Sequence, residues 1–398
     1  MLKNKRLHRL LNRPNWSQIR GPALMTALGI FLLFWRLNSL TGGISLEEKS
    51  TIMTSRRIAD LSMDPAYFAY KLPLKLIDVL HPGQAVYYRA ISALLGLLTI
   101  LMLGYVLRQW YSKRAAVLGS LLLLTSSWFL TYSRIATRDI ASISLVSALL
   151  FFVVWQPKNN SPKLKTLVGV ILLLCLVYTP GLAWLVVIGL VSRARNISQF
   201  ARQSKVMTVV AILGSAVLLL PLLSLLSKSG NNLSNFFGLH PNALHHVISY
   251  WDSFVGITNK LFGSGESDAT FGLTGVPLLN FFEAIMLVIG IFAIFKTNSR
   301  DAARTIITIG VVLTVLVSLN GPVRISAMIP IVFVLMTGGI NHMLQLWSTV
   351  FPRNPIAKSV GMILMSFVVA FSCTYHVTRY FVAWPRSRDT KTAYSHQV

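Results

Sequence analysis

The sequence predicts an all-α, polytopic transmembrane helical bundle, and three observations predict it. More than half of the 398 residues are hydrophobic (54%) and mean hydropathy is positive. Apolar runs near 20 residues recur along the chain, the length that spans a hydrocarbon core of roughly 30 Å. Only 12 residues are acidic against 37 basic ones, and the basic ones gather in short segments between apolar runs. No stretch is both long and polar, so we expect one integrated domain over 1–385 and a short polar tail over 386–398.

In chain order the expected spans are 21–40, 86–107, 115–132, 140–156, 166–178, 181–192, 206–226, 273–295, 305–320, 325–347 and 359–381, about eleven in all. The basic N-terminus precedes a long apolar run with no small-residue cleavage site after it, and it reads as a retained first helix. The segment 41–85 forms a first outer loop long enough for short helices, and 228–272 forms a second. The run 166–192 is basic on both flanks, so the chain has to enter and return. Tyr178-Thr179-Pro180-Gly181 supplies the turn, because Pro and Gly break helices. Irregular backbone at that depth has to be buried in protein or line a cavity. Trp35, Trp110, Trp155, Trp184, Trp347 and Trp384 lie near span ends and read as interfacial anchors.

Loop charge sets the orientation. The N-terminal segment and the segments 108–114, 158–165, 193–205, 296–304 and 353–358 hold 21 of the 37 basic residues and are assigned to the cytoplasmic side of the cell membrane. Eleven spans then place the C-terminus outside, where Arg379, Arg386, Arg388 and Lys391 run against the charge rule. Late charges count for less than early ones, and the assignment is kept. The same asymmetry accounts for a net charge of +25 without a nucleic-acid partner. Cys175 and Cys373 both lie in apolar runs and predict neither a disulfide nor a thiolate metal site. His240, His245 and His246 share the second outer loop without an evident further ligand, so no metal is assigned and a divalent ion is unsupported. No Gly-rich phosphate loop is present.

The outer side collects the polar residues that could carry chemistry. Glu47 and Glu48 are the only adjacent acidic pair. Ser45 and Glu48 match a Ser-x-x-Glu capping box, which is their simplest structural reading. Arg56, Arg57, Asp60 and Asp64 follow in the same loop. Arg89 opens the second span, Arg134, Arg138 and Asp139 occupy the link 132–139, and Arg324 follows Asn320-Gly321-Pro322. Arginines on the outer side run against the charge bias. They serve either headgroups and nearby acids or an anionic ligand, whose phosphate oxygens a guanidinium binds through paired hydrogen bonds. A carboxylate beside them suits group transfer from a phosphate-linked donor, deprotonating an acceptor while cations hold the leaving phosphate.

The motifs in their order resemble the GT-C superfamily of polytopic glycosyltransferases, in the branch of protein O-mannosyltransferases and aminoarabinose-to-lipid-A transferases. Ser45-Leu46-Glu47-Glu48-Lys49-Ser50 stands where that branch carries an Asp-Glu pair. Tyr88-Arg89-Ala90-Ile91-Ser92, with Gly96, is similar to its Arg-x-x-Ser-x-x-x-Gly second span. Tyr132-Ser133-Arg134-Ile135-Ala136 with Asp139 resembles its Ser-Arg-x-Ala link, and Tyr178-Thr179 its broken fifth helix. Arg324 through Pro330 with Gly338-Gly339 resembles its late Arg…Pro…Gly helix, and Tyr380-Phe381 through Pro385 its tail. Glu47 departs from the usual Asp by one methylene.

The resemblance implies a polyprenyl-phosphate-linked sugar donor, an outer cavity, and transfer to an acceptor hydroxyl or amine with inversion. It implies Glu47 as general base, assisted by Glu48. Arg324, Arg134, Arg89, Arg138, Asp139 and Tyr178 become the donor-phosphate and cavity residues. The acceptor, a glycan, lipid or protein, is left open. A transporter or flippase of a lipid-linked or anionic substrate is the alternative, and expects paired broken segments in two halves. The sequence shows one, at 178–181. A non-catalytic scaffold expects Glu47, Glu48 and Arg324 to lie far apart.

Overall fold

The computed structural model describes residues 16–56, 66–155, 162–192, 247–296, 300–319 and 321–396, with a few short stretches between 208 and 237. The described residues are helical, apart from turns and one isolated antiparallel bridge between Ile44 and His396. The span expected at 206–226, the three loop histidines and Arg57, Asp60 and Asp64 lie largely or wholly outside them.

The first half comprises α1 (Trp16–Phe34), α2 (Leu46–Arg56), α3 (Phe68–Leu80), α4 (Ala85–Trp110), α5 (Lys113–Thr125), α6 (Ser127–Arg134), α7 (Asp139–Val154), α8 (Pro162–Val177) and α9 (Ala183–Ser192). The second comprises α10 (Val247–Phe262), α11 (Phe281–Lys296), α12 (Arg300–Ser318), α13 (Ile329–Val350), α14 (Pro355–Thr378) and, after a π-helical turn at Arg379–Ala383, α15 (Arg388–Ala393). Local chemistry starts several of these helices. Ser112 accepts from the backbone N–H of Ala115 at α5, and Asn354 accepts from that of Ala357 ahead of Pro355 at α14.

Among the described residues four helical stretches are long and apolar enough to cross a membrane: Ala85–Trp110, Asp301–Ser318, Ile325–Val350 and Pro355–Arg386. Four more apolar helices are shorter. The expected single span 115–132 is instead α5 and α6, bent by 56° at Ser126. The expected helix break at 178–181 is present: α8 ends at Val177 and α9 starts at Ala183. Gly181 has φ +78, and a Cβ there would stand 2.3 Å from Val323 Cγ2, so the turn packs directly behind the loop that carries Arg324.

The tightest crossing joins α11 and α13. A Cβ on Gly290 would meet the Leu335 carbonyl at 1.9 Å, and one on Gly339 the Met286 carbonyl at 2.1 Å. Backbones approach this closely only where small residues face each other. The apolar exterior (Phe281, Phe295, Phe367, Phe371) suits lipid, where exposed Phe carries no penalty. The chain is an integral membrane protein.

The C-terminal tail packs against the first loop. Tyr394 and Thr390 are buried, and the Ile44 N–H donates to the His396 carbonyl at 3.0 Å. The C-terminal segment therefore lies on the same side as Glu47 and Glu48, despite its basic residues. Trp384, expected as an interfacial anchor, is 1% exposed and donates through Nε1 to the Ala269 carbonyl.

Candidate functional site around Glu47, Arg324 and Asp139

The acidic pair opens α2, and the two residues have different surroundings. Glu48 closes the capping box: its N–H donates to Ser45 Oγ at 3.2 Å, and its Oε2 accepts from the Ser45 N–H at 3.2 Å. Its carboxylate also accepts from Arg89 Nε (to Oε1) and Nη2 (to Oε2), both at 2.8 Å, and from the Ala136 N–H at 2.8 Å. Glu48 and Arg89 are almost completely buried. The other donors of Arg89 reach the carbonyls of Leu37 and Gly43.

One residue earlier on the helix, Glu47 points elsewhere. Its side chain is one-third exposed, and Oε1 accepts from Arg324 Nη2 at 2.7 Å. Arg324 Nη1 reaches Asp139 Oδ2 at 3.3 Å, so one guanidinium bridges acids from two elements. Beneath it lies the Phe271 ring, 4.7 Å from Cζ, itself stacked on Tyr132 at 5.0 Å. Burial opposes the charge of Arg324, but Asp139 and Glu47 outweigh burial and hold its pKa above the ordinary value. Asp139 sits in the link just before the span 140–156. Burial pushes its carboxyl up to about 6, against the pull of Arg324 and Arg138, with Glu47 and Glu266 adding to the rise.

Arg138 and Tyr178 reach this cluster through Tyr67. The Arg138 guanidinium stands 5.4 Å over the Tyr67 ring. The Tyr67 N–H donates to the Tyr178 carbonyl at 2.8 Å, and its hydroxyl lies 3.5 Å from the Pro322 carbonyl, two residues before Arg324. Tyr67 holds a left-handed backbone (φ 58), a costly conformation for a non-glycine residue. Burial raises its phenol to about 12, with Asp139 adding to the rise. Tyr67 therefore stays a neutral donor.

Arg134 lies in a different layer. Its Nη1 donates to the Leu32 carbonyl and its Nη2 to the Trp35 carbonyl at 2.6 Å, satisfying carbonyls at the C-terminal end of α1. The Tyr380 and Phe381 rings flank it at 5.5 and 5.0 Å. Glu47, Asp139 and Arg324 are thus brought into direct contact, Arg138 and Tyr178 are tied in through Tyr67, and Glu48, Arg89 and Arg134 form the packing behind them. Three nearby residues escaped the sequence reading: Tyr67, Phe271 and Glu266. The last is 6% exposed and paired with Lys260 at 3.0 Å. The rarity of acids that singled out Glu47 also marks Glu266; no comparable signal marks Tyr67 or Phe271.

A second polar cluster joins α6, α11 and α14 inside the bundle. His376 Nε2 faces Glu283 Oε2 at 2.9 Å and His376 Nδ1 faces Ser127 Oγ at 2.9 Å. Ser372 Oγ donates to Glu283 Oε1 at 3.0 Å. Glu283 and His376 are fully buried, and each polar atom finds a partner within the protein, as helices in lipid require. Among the described residues no group of three or more His, Cys, Asp or Glu is placed to hold a metal ion.

No protein-family model and no curated protein matches the sequence. Solved structures do match. ArnT from Cupriavidus metallidurans in its apo state superposes with a TM-score of 0.57 at 13% identity, covering 95% of this chain and 78% of that one. The same protein bound to undecaprenyl phosphate superposes with a TM-score of 0.53 at 12% identity, covering 96% and 77%. The fold is that of ArnT. The likeness runs through nearly the whole chain.

Proposed function

We propose that the protein is a glycosyltransferase that moves a sugar from a polyprenyl-phosphate-linked donor to an acceptor on the outer face of the membrane, with Glu47 as general base. One observation carries the reading: of two adjacent glutamates, one is consumed by five hydrogen-bonding contacts while the other faces an accessible guanidinium. The ArnT-like fold supports it, since ArnT has been crystallised with undecaprenyl phosphate.

The chemistry follows from the charges. A donor phosphate offers Arg324 a stronger partner than Glu47, because a phosphate takes both guanidinium N–H groups of one edge. Asp139 keeps hold of the other side. Glu47, released, accepts the proton of an acceptor hydroxyl or amine as its oxygen or nitrogen attacks the anomeric carbon. The bond from that carbon to the phosphate oxygen breaks, and the electron pair leaves with the polyprenyl phosphate, whose charge Arg324 and Arg138 stabilise. Attack opposite the leaving group inverts the anomeric centre. Glu48, Arg89 and Arg134 hold the first loop and α1 in register behind this site.

For the transporter reading, the bend at Ser126 adds a second broken segment, but it lies in the same half of the chain as the break at 178–181 and does not supply the pair in two halves that a transporter expects. One experiment separates the two: mass spectrometry of lipids, glycans and glycoproteins in cells with and without the gene. A glycosyltransferase leaves one glycoconjugate missing and its lipid-linked donor accumulated. A transporter leaves every covalent linkage intact once substrate is supplied on the outer side, and that result would sink the proposal.

A further inference from the structure

The C-terminal segment reads in sequence as a polar tail, yet it is built into the site. It ties to both outer loops. On the first loop, the Ile44 N–H donates to the His396 carbonyl at 3.0 Å. Gly43 lies so close beneath the tail that a Cβ would stand 2.1 Å from the Tyr394 carbonyl oxygen. On the second loop, the Tyr394 hydroxyl donates to the Thr270 carbonyl at 3.0 Å, Trp384 Nε1 to the Ala269 carbonyl at 2.9 Å, and Thr274 Oγ1 to Asp389 Oδ2 at 2.9 Å. Thr270 is followed by Phe271, the ring under Arg324.

Between the loops stands the Tyr394 ring, 2% exposed, packed edge-on against Trp384 at 5.5 Å. Its centroid is 6.0 Å from the guanidinium carbon of Arg89, within the range of a cation–π contact. Arg89 also donates to the Gly43 carbonyl at 2.6 Å, so tail, Gly43, Arg89 and Glu48 form one unbroken chain of contacts ending at the first turn of α2. Glu47 is in that turn.

We propose that residues 384–396 are a clasp across the two loops of the site, and that Tyr394 is a positioning residue for Glu47, acting through Arg89 and Glu48. The second half of this statement rests on the function proposed above; the first half does not. The clasp explains why Trp384, Thr390 and Tyr394 are buried in a segment whose charged residues Arg386, Arg388, Asp389 and Lys391 stay exposed.

The test compares the full chain with its Tyr394→Leu and Tyr394→Phe variants, purified in detergent, by hydrogen–deuterium exchange and by transfer kinetics. Tyr394→Leu is expected to speed exchange in peptides from 43–56 about tenfold or more while α13 keeps its protection. It is also expected to lower kcat about tenfold with the donor KM changed less than about twofold, the mark of a displaced group rather than lost binding. Tyr394→Phe keeps the ring over Arg89 and is expected to restore both readouts to within about threefold of the parent. Unchanged exchange at 43–56 overturns the clasp. Faster exchange with unchanged kcat overturns the positioning role. If Glu47→Gln also transfers normally, the functional reading has failed, and the exchange data still decide the clasp. Should Tyr394→Leu fail to fold, deletion of 395–398 removes the His396 carbonyl and keeps Tyr394. It is expected to speed exchange at Ile44, and an unchanged rate there overturns the clasp.

Discussion

Replacing each glutamate of the pair by glutamine should produce two different defects, although the residues are adjacent and the change is the same. Glutamine keeps the shape of Glu48 but has only one acceptor oxygen. The Oε1 position serves Arg89 Nε and the Ala136 N–H; the Oε2 position serves Arg89 Nη2 and the Ser45 N–H. Whichever way the amide is turned, its NH2 group faces two buried N–H donors and both lose their acceptor. A buried donor left unpaired costs about 1–3 kcal/mol, and two of them cost about 2–6 kcal/mol. Removal of one member of a buried ion pair costs about 3–5 kcal/mol, a consistent figure. Glu47, one-third exposed and paired with an equally exposed Arg324, is worth at most about 1 kcal/mol to stability. Thermal unfolding of the purified chain in detergent, followed by tryptophan fluorescence, should show Glu48→Gln strongly destabilised and Glu47→Gln close to the parent. Transfer assays below both midpoints should show Glu47→Gln slowed about 100-fold or more. If the two variants unfold at the same temperature, or Glu47→Gln is the less stable, the division of labour within the pair is wrong.

Three further predictions follow from the packing and electrostatics. Gly339→Leu should prevent the close approach of α11 and α13, since even a Cβ would stand 2.1 Å from the Met286 carbonyl; the readout is loss of monodisperse protein on size-exclusion chromatography. With the Asp139 carboxyl pushed up to about 6, protonation below that pH removes its hold on Arg324, so kcat/KM should fall as pH drops through about 6, and Asp139→Asn should lose or shift that limb in a pH–rate profile. The same shift has the opposite sign for folding: the native state holds the proton more tightly than the unfolded chain, so this group's stabilisation is greatest at low pH and is lost as pH rises from about 4 toward 6. His376→Leu leaves Ser127 Oγ without its partner and Glu283 Oε2 with only the Asn280 N–H, and should cost about 1–3 kcal/mol in detergent unfolding, while transfer per folded molecule stays unchanged because the cluster lies apart from Glu47.

The sequence by itself determined the membrane-embedded helical architecture, the helix start at Ser45–Glu48, and the helix break at Tyr178–Gly181. Each is a local property: apolar run length, a cap four residues long, a Pro-Gly pair between basic flanks. It also brought Glu47, Asp139 and Arg324 under suspicion, because charges are rare here and burying one in lipid is costly. Only the tertiary structure decided which glutamate is accessible, that Arg89 and Arg134 are committed to Glu48 and to the end of α1, that Tyr67 and Phe271 frame the site, and that the tail closes over the first loop. Those outcomes depend on partners far apart in the chain: Arg324 lies 277 residues from Glu47, and Tyr394 lies 124 from Thr270. A guanidinium that caps carbonyls and one that bridges two carboxylates look alike in sequence, since what separates them is which acceptors the fold brings within about 3 Å.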